Sequence, residues 1–211
     1  MKRKLKISAF TAALGVATSL LTSGALAAVA YDEAVSGDLS NSGLAPSFIV
    51  LALGSNTLLG STGNPGNGAD RDYLSFNVPA GSALTALTVQ PGTSVLGTRS
   101  FIGVQAGPLV TVSPTSGSPV GLLGWTHFNT ADIGHNILPR LGTGAGASGF
   151  SGPLGAGRYA FWIQETGAGI SNYAFDLTLA AVPEPAAAQL LLMGLAAGAV
   201  WRQARRRAPR P

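Results

Sequence analysis

The sequence predicts an all-β chain: an antiparallel β-sandwich of the jelly-roll kind between an N-terminal signal helix and a C-terminal transmembrane helix. Three observations predict it. Apolar and polar residues alternate over several short runs between residues 31 and 181, the period of a strand with one buried face. Glycine (29 residues) and proline (13) recur between those runs as turn punctuation. No stretch of that region has a helical period, whereas both ends of the chain carry apolar segments flanked by basic residues.

Residues 1–30 read as a secretory signal. Lys2, Arg3, Lys4 and Lys6 form a cationic start, and an apolar stretch runs from Ile7 to Leu21. Small residues then offer a peptidase two sites, Ala25-Leu26-Ala27 and Ala28-Val29-Ala30, and the sequence leaves the choice open. The alternative is an uncleaved N-terminal anchor.

Residues 31–181 form the expected sandwich domain, with seven to nine short strands. In Asp72–Val78, Leu74, Phe76 and Val78 share one face, and Tyr73, Ser75 and Asn77 the other; Pro79-Ala80-Gly81 ends the run. Phe48–Leu53, Leu84–Val89, Phe101–Gln105 and Leu122–Phe128 are further strand candidates. Tyr159, Phe161 and Ile163 alternate with Ala160, Trp162 and Gln164. Beyond Gly167 and Gly169, Tyr173, Phe175, Leu177 and Leu179 alternate with Ala174, Asp176 and Thr178. Two such runs across a glycine-rich turn predict an antiparallel hairpin.

The formal charge of +4 belongs to the ends of the chain. Between Tyr31 and Ala181, four arginines (Arg71, Arg99, Arg140, Arg158) face eight carboxylates, a domain charge of about −4 that excludes the electrostatic footprint of a nucleic-acid binder. The absence of cysteine excludes disulfides, zinc–thiolate sites and a cysteine nucleophile.

Little in the domain points to catalysis. Gly144-Ala145-Gly146-Ala147-Ser148-Gly149 has the G-x-G-x-x-G spacing. It lacks the preceding strand and following helix that would bring a helix N-terminus to a pyrophosphate, so it reads as loop glycine. His127 and His135 have neither metal-ligand spacing nor a G-x-S-x-G serine to serve, and His127 reads as a structural strand residue. Nothing in the sequence shows two carboxyls facing each other across a glycosidase cleft. Asp70 and Asp72, beside a turn containing Asn64, Asn67 and Gly68, admit a hard-cation site for calcium; the alternative is a pair of solvated turn residues, one of them paired with Arg71 or Arg158. Trp125 and Trp162 are candidates for stacking on a sugar ring, Trp162 because it points away from the core if Phe161 points into it.

Residues 182–211 carry three features in order. Val182-Pro183-Glu184-Pro185 stops any regular element. The apolar run 186–201 spans about 24 Å as a helix, short of the ~30 Å hydrocarbon core by a distance that Trp201 and snorkelling arginines can cover. The basic tail 202–211, with Arg202, Arg205, Arg206 and Arg207, stays cytoplasmic. This order resembles the tripartite PEP-CTERM sorting signal of Gram-negative bacteria. The resemblance implies signal peptidase and exosortase as processing enzymes, transient anchoring in the inner membrane, and delivery to the cell surface or extracellular matrix, with exopolysaccharide as a partner there. Separately, residues 70–81 resemble the Asp-x-Asp-Tyr-x-x-Phe-x-Val-x-x-Gly strand of bacterial pre-peptidase C-terminal domains, which are small secreted sandwiches. The expectation is an exported, non-catalytic envelope or matrix protein. A carbohydrate-binding or adhesin module is the alternative, and a secreted hydrolase the third reading.

Overall fold

The computed structural model describes residues 27–66, 68–95, 99–182, 193–197 and 202. Most of the expected signal (residues 1–26) and most of the sorting segment, including Pro183, Glu184, Pro185, Trp201, Arg205, Arg206 and Arg207, lie outside the described residues. Among the described residues no helix is long and apolar enough to cross a membrane.

Among the described residues nine strands form two mixed sheets. The first holds β1 (Ala28–Asp32), β3 (Gly54–Asn64), β5 (Ser82–Val89) and β9 (Gly169–Ala181), in the order β1-β3-β9-β5. The second holds β2 (Ser47–Phe48), β4 (Arg71–Val78), β6 (Ser100–Ala106), β7 (Gly124–Phe128) and β8 (Gly157–Gln164), in the order β2-β4-β8-β6-β7. β1 runs parallel to β3 and β2 parallel to β4; the remaining pairs are antiparallel. Between residues 27 and 182 the described helix is confined to single turns, α1 (Glu33–Ser36), α2 (Leu138–Leu141) and a 3-10 turn at Thr130–Asp132; residues 193–197 are also helical.

The alternating runs place their side chains as the period requires. Tyr173, Phe175, Leu177 and Leu179 of β9 and Leu74, Phe76 and Val78 of β4 are buried in one apolar cluster, to which both sheets contribute. Phe175 meets Phe128 edge-on at 4.9 Å, and Phe76 meets Phe161 edge-on at 5.1 Å. Each ring removed from water contributes on the order of 2–3 kcal/mol.

Four expectations need correction. β8 and β9 do not pair as a hairpin: β8 lies between β4 and β6, β9 between β3 and β5, and the connection crosses from one sheet to the other. Both runs have an apolar face, and one shared core satisfies both faces whether or not the strands bond to each other. Of Phe48–Leu53 only Phe48 is strand, as the last residue of β2. β3, eleven residues long, had no counterpart among the expected strands, because glycine and polar residues fill most of its positions. The sheet also begins before Tyr31, since Ala28, Val29 and Ala30 belong to β1.

Candidate functional site

Two places gather chemistry-bearing side chains. The first is a carboxylate cluster at the end of β4. Asp72 points with Leu74 and Phe76 toward the core and is fully buried. Its Oδ2 accepts a 2.7 Å hydrogen bond from the Tyr173 hydroxyl on the opposite sheet, while its Oδ1 has no hydrogen-bond partner. Glu33, in the first turn of α1, reaches the same place. Its Oε1 accepts from the Leu39 amide at 3.2 Å and its Oε2 from the Ser61 amide of β3 at 2.7 Å. Asp38 follows α1 and is exposed. One carboxylate oxygen from each of Glu33, Asp38 and Asp72 lies within 4.8 Å of the others.

The local sequence explains the convergence. Asp32 caps α1 by accepting the Ala34 amide at 3.0 Å, which turns the chain after β1 and brings Glu33 over β3. Gly60 sits opposite Tyr173 in the β3–β9 register. A Cβ at Gly60 would run into Oη and Cζ of Tyr173 and stand 2.8 Å from Cδ of Glu33, so only glycine lets both side chains approach. Above the cluster lies a concavity of about 600 Å³ lined by Asp32, Glu33, Asp38, Asp70, Gly60 and Tyr173 among others.

Burial, and then the neighbouring carboxylates Glu33, Asp70 and Asp38, push the Asp72 carboxyl up to about 9 against the Tyr173 hydrogen bond that lowers it. Burial likewise raises Glu33, despite its two amide donors, and Asp70. Burial and then Asp72 hold Tyr173 well above the usual phenol range, so it remains a neutral donor. Of the expected pair Asp70/Asp72, Asp72 joins this cluster. Asp70 lines the mouth, and its amide and carbonyl pair with Gly63. Asp72 is not the solvated turn residue of the alternative reading, because the turn ends before it and it enters the core as a strand residue. The sequence gives Glu33 and Asp38 no site role and marks Tyr173 only as a strand residue of the apolar face.

The second place is a row of rings on the outer face of the five-stranded sheet. Tyr73, Trp162, Gly103 and Trp125 lie opposite one another across β4, β8, β6 and β7. Trp162 stacks on Tyr73 at 5.8 Å and leans on Phe101 at 4.7 Å. Phe101 stacks on Trp125 at 6.0 Å, and His127 meets Trp125 edge-on at 5.4 Å. Trp162 does point away from the main core, as expected, but it is only 5% exposed, packed in a second cluster with Val110 and Leu122. Its indole N–H is buried without a partner. Trp125 is half-buried and donates its indole N–H to the Ala145 carbonyl at 2.9 Å. Between them a cavity of about 240 Å³ is lined by Phe101, Trp125, His127, Trp162, Pro119 and Gln164 among others. Burial, then Arg99 and Arg140, lower the His127 pKa, against Glu165.

His127 lies on β7 and His135 in the segment before α2, and neither belongs to the carboxylate cluster. The 144–149 glycines follow α2 as loop, where Gly144 packs against Trp125 so closely that a Cβ would stand 2.6 Å from its Cδ1.

Comparison with known proteins identifies one region. The family model for the PEP-CTERM protein-sorting motif matches residues 181–207. The motif implies an exported protein that is held transiently in the membrane and sorted by exosortase. No curated protein and no solved structure matches the chain.

Proposed function

We propose that this PEP-CTERM protein is a non-catalytic component of the cell envelope or exopolysaccharide matrix, a jelly-roll sandwich delivered by signal peptidase and released from its membrane tail by exosortase. The sorting motif at 181–207 carries the reading. It begins where β9 ends at Ala181, and the Val182 amide bonds to the Gly81 carbonyl at 2.8 Å, so cutting near Pro185 removes no strand.

The winding supports the jelly roll. From β3 to β9 the chain distributes its strands as β3-β9-β5 and β4-β8-β6-β7, and both sheets line one core. The segment Ile133–Asn136 bridges to Val89 and Thr88 of β5, in the position of an eighth strand. β1 favours the first of the two peptidase sites. Cutting after Ala27 leaves the strand whole, whereas cutting after Ala30 removes Ala28 and Val29, which pair with Asn56 and Thr57. Against hydrolysis stands the burial of Asp72: a carboxyl with no solvent exposure cannot reach the leaving group of a polymeric substrate. The ring-lined cavity beside Trp125 favours carbohydrate binding as the second reading.

The test is the intact mass of the protein isolated from the surface of its host. The expected species starts at Ala28 and ends near Pro185. A main form retaining Trp201 and Arg205–Arg207 would reduce the tail to an ordinary anchor, and a start at Tyr31 would remove the argument from β1.

A further inference from the structure

We propose that Glu33, Asp38 and Asp72 form a binding site for a hard divalent cation, calcium rather than magnesium. The proposal does not rest on the sorting motif. Two independent observations carry it: three carboxylate oxygens from separate segments converge within 4.8 Å, and one contributor, Asp72, is fully buried with Oδ1 unpartnered.

A buried carboxylate oxygen with no donor is unfavourable as a neutral acceptor and more so as an anion, so such an atom calls for a cation or a proton. No Lys or Arg is among the residues lining the concavity above the cluster. The nearest arginine by sequence, Arg71, turns to Gln164 and the Ala69 carbonyl instead. Tyr173 fixes the Asp72 carboxyl by holding Oδ2, leaving Oδ1 without a donor.

The held geometry selects the ion. The three oxygens lie within 4.8 Å of one another, close enough to share one ion. Two of them belong to side chains fixed by the fold's own hydrogen bonds, an irregular arrangement that calcium's flexible shell tolerates and magnesium's near-ideal octahedron does not. Glu33 is held by two amides and Asp72 by Tyr173, so closure falls to the exposed Asp38, which can move without disturbing the core. The concavity is lined by Glu33 and Asp38, so an ion enters past those two to meet the buried Asp72 beneath them, with room on the open side for the waters that complete a six- to eight-fold shell. Ligands from α1, the loop after it and β4 would tie the N-terminal segment to both sheets. A proton shared between Glu33 and Asp72 is the competing arrangement, and it leaves Asp38 without a role.

The experiment uses the full-length chain in detergent, stripped with EDTA and titrated separately with CaCl2 and MgCl2. Thermal unfolding is one readout. The other is terbium emission excited through tyrosine, since Tyr173 touches Asp72 directly. Calcium in the millimolar range should raise the melting temperature by about 4–10 °C, magnesium should give less than about a quarter of that shift, and calcium should quench the terbium signal by displacement. Asp38→Asn should weaken calcium binding at least ~10-fold while melting in EDTA within about 2 °C of the unaltered chain. Absence of a calcium shift up to about 10 mM would overturn the proposal in favour of the shared proton. So would equal shifts from both ions, or a calcium shift untouched by Asp38→Asn.

Discussion

Gly60→Ala tests whether the close packing around the carboxylate cluster holds the fold. Gly60 is not among the glycines with positive φ, so alanine meets no backbone strain there and the whole penalty comes from contact. The added methyl would overlap Oη and Cζ of Tyr173 and stand 2.8 Å from Cδ of Glu33. Overpacking against well-fixed neighbours costs about 1–3 kcal/mol. Moving the Tyr173 hydroxyl off Asp72 costs a further ~1–3 kcal/mol, because it takes the one donor from a carboxyl already short of partners. The lower entropy of the unfolded alanine chain returns about 0.4–1 kcal/mol. The net expectation is a loss of about 3 kcal/mol at mid-range values. Urea unfolding followed by tyrosine and tryptophan fluorescence reads it as a fall in midpoint of about 1–2 M for a slope near ~2 kcal/mol/M. Gly155→Ala is the control: its Cβ would meet nothing within 4 Å and its φ is also not positive, so it should stay within about 0.5 kcal/mol of the unaltered protein. Coincident midpoints for the two variants would refute the packing described around Tyr173 and Glu33.

Phe175→Ala should cost about 3–5 kcal/mol in the same urea assay, since the ring is fully buried against Phe128 and Tyr173. Asp176→Ala, on the other face of β9, should cost less, about 1–3 kcal/mol, through loss of its bonds from Ser55 Oγ (2.5 Å), the Asn56 amide (2.9 Å) and Thr178 Oγ1 (3.1 Å); the reverse order would mean that the register is off by one residue. Asp132 is held below its usual pKa chiefly by its hydrogen bond from Arg140, then by the Asn129 amide and the positive charge of Arg140 and His135, against the burial that raises it. Its folded pKa lies below the unfolded one, so its stabilisation is present above the ordinary carboxylate range and is lost as pH falls through the depressed value. The stability gap between the unaltered chain and Asp132→Asn should therefore close on acidification below about pH 4, and a gap independent of pH would remove the assigned role.

What was legible in the sequence follows the strength of the period-two signal. β4, β8 and β9 carry three or four large apolar residues on one face, and alternation alone assigns the core-facing side of each as the structure has it. β3 gives no such signal. Its buried positions include Leu58 but otherwise Asn56, Thr62 and Gly63, and Asn56 reaches the interior only because its side-chain amide donates to the Ala52, Gly54 and Leu177 carbonyls and its oxygen accepts the Ala52 amide. A buried polar residue whose bonds are all made looks like a surface residue until its partners are placed. Partner choice was hidden for a related reason. Alternation reports which face is buried and is silent on which strand lies alongside, so a short glycine-rich connection between β8 and β9 suggested a hairpin where the chain changes sheets.

The same distinction governs the carboxylate cluster. Asp70 and Asp72 stand out because only Arg71 separates them in sequence, and spacing alone would pair them with each other. Strand geometry separates them: the regular ladder of β4 begins at Arg71, so Asp72 enters the core with the alternation of Leu74 and Phe76 while Asp70 stays at the turn. The partners Asp72 does have come from elsewhere. Tyr173 is 101 positions away, and Glu33 arrives because β1 runs parallel to β3, an arrangement no short turn can produce and no local pattern announces. Ser61 donates to Glu33, and Gly60 beside it leaves room for Tyr173 and Glu33, so two adjacent β3 residues that look like loop composition position two members of the cluster. A site assembled from an N-terminal segment, a glycine and an opposing tyrosine leaves its mark in the sequence only as an excess of acid over base, and that excess is the one feature of it that composition revealed.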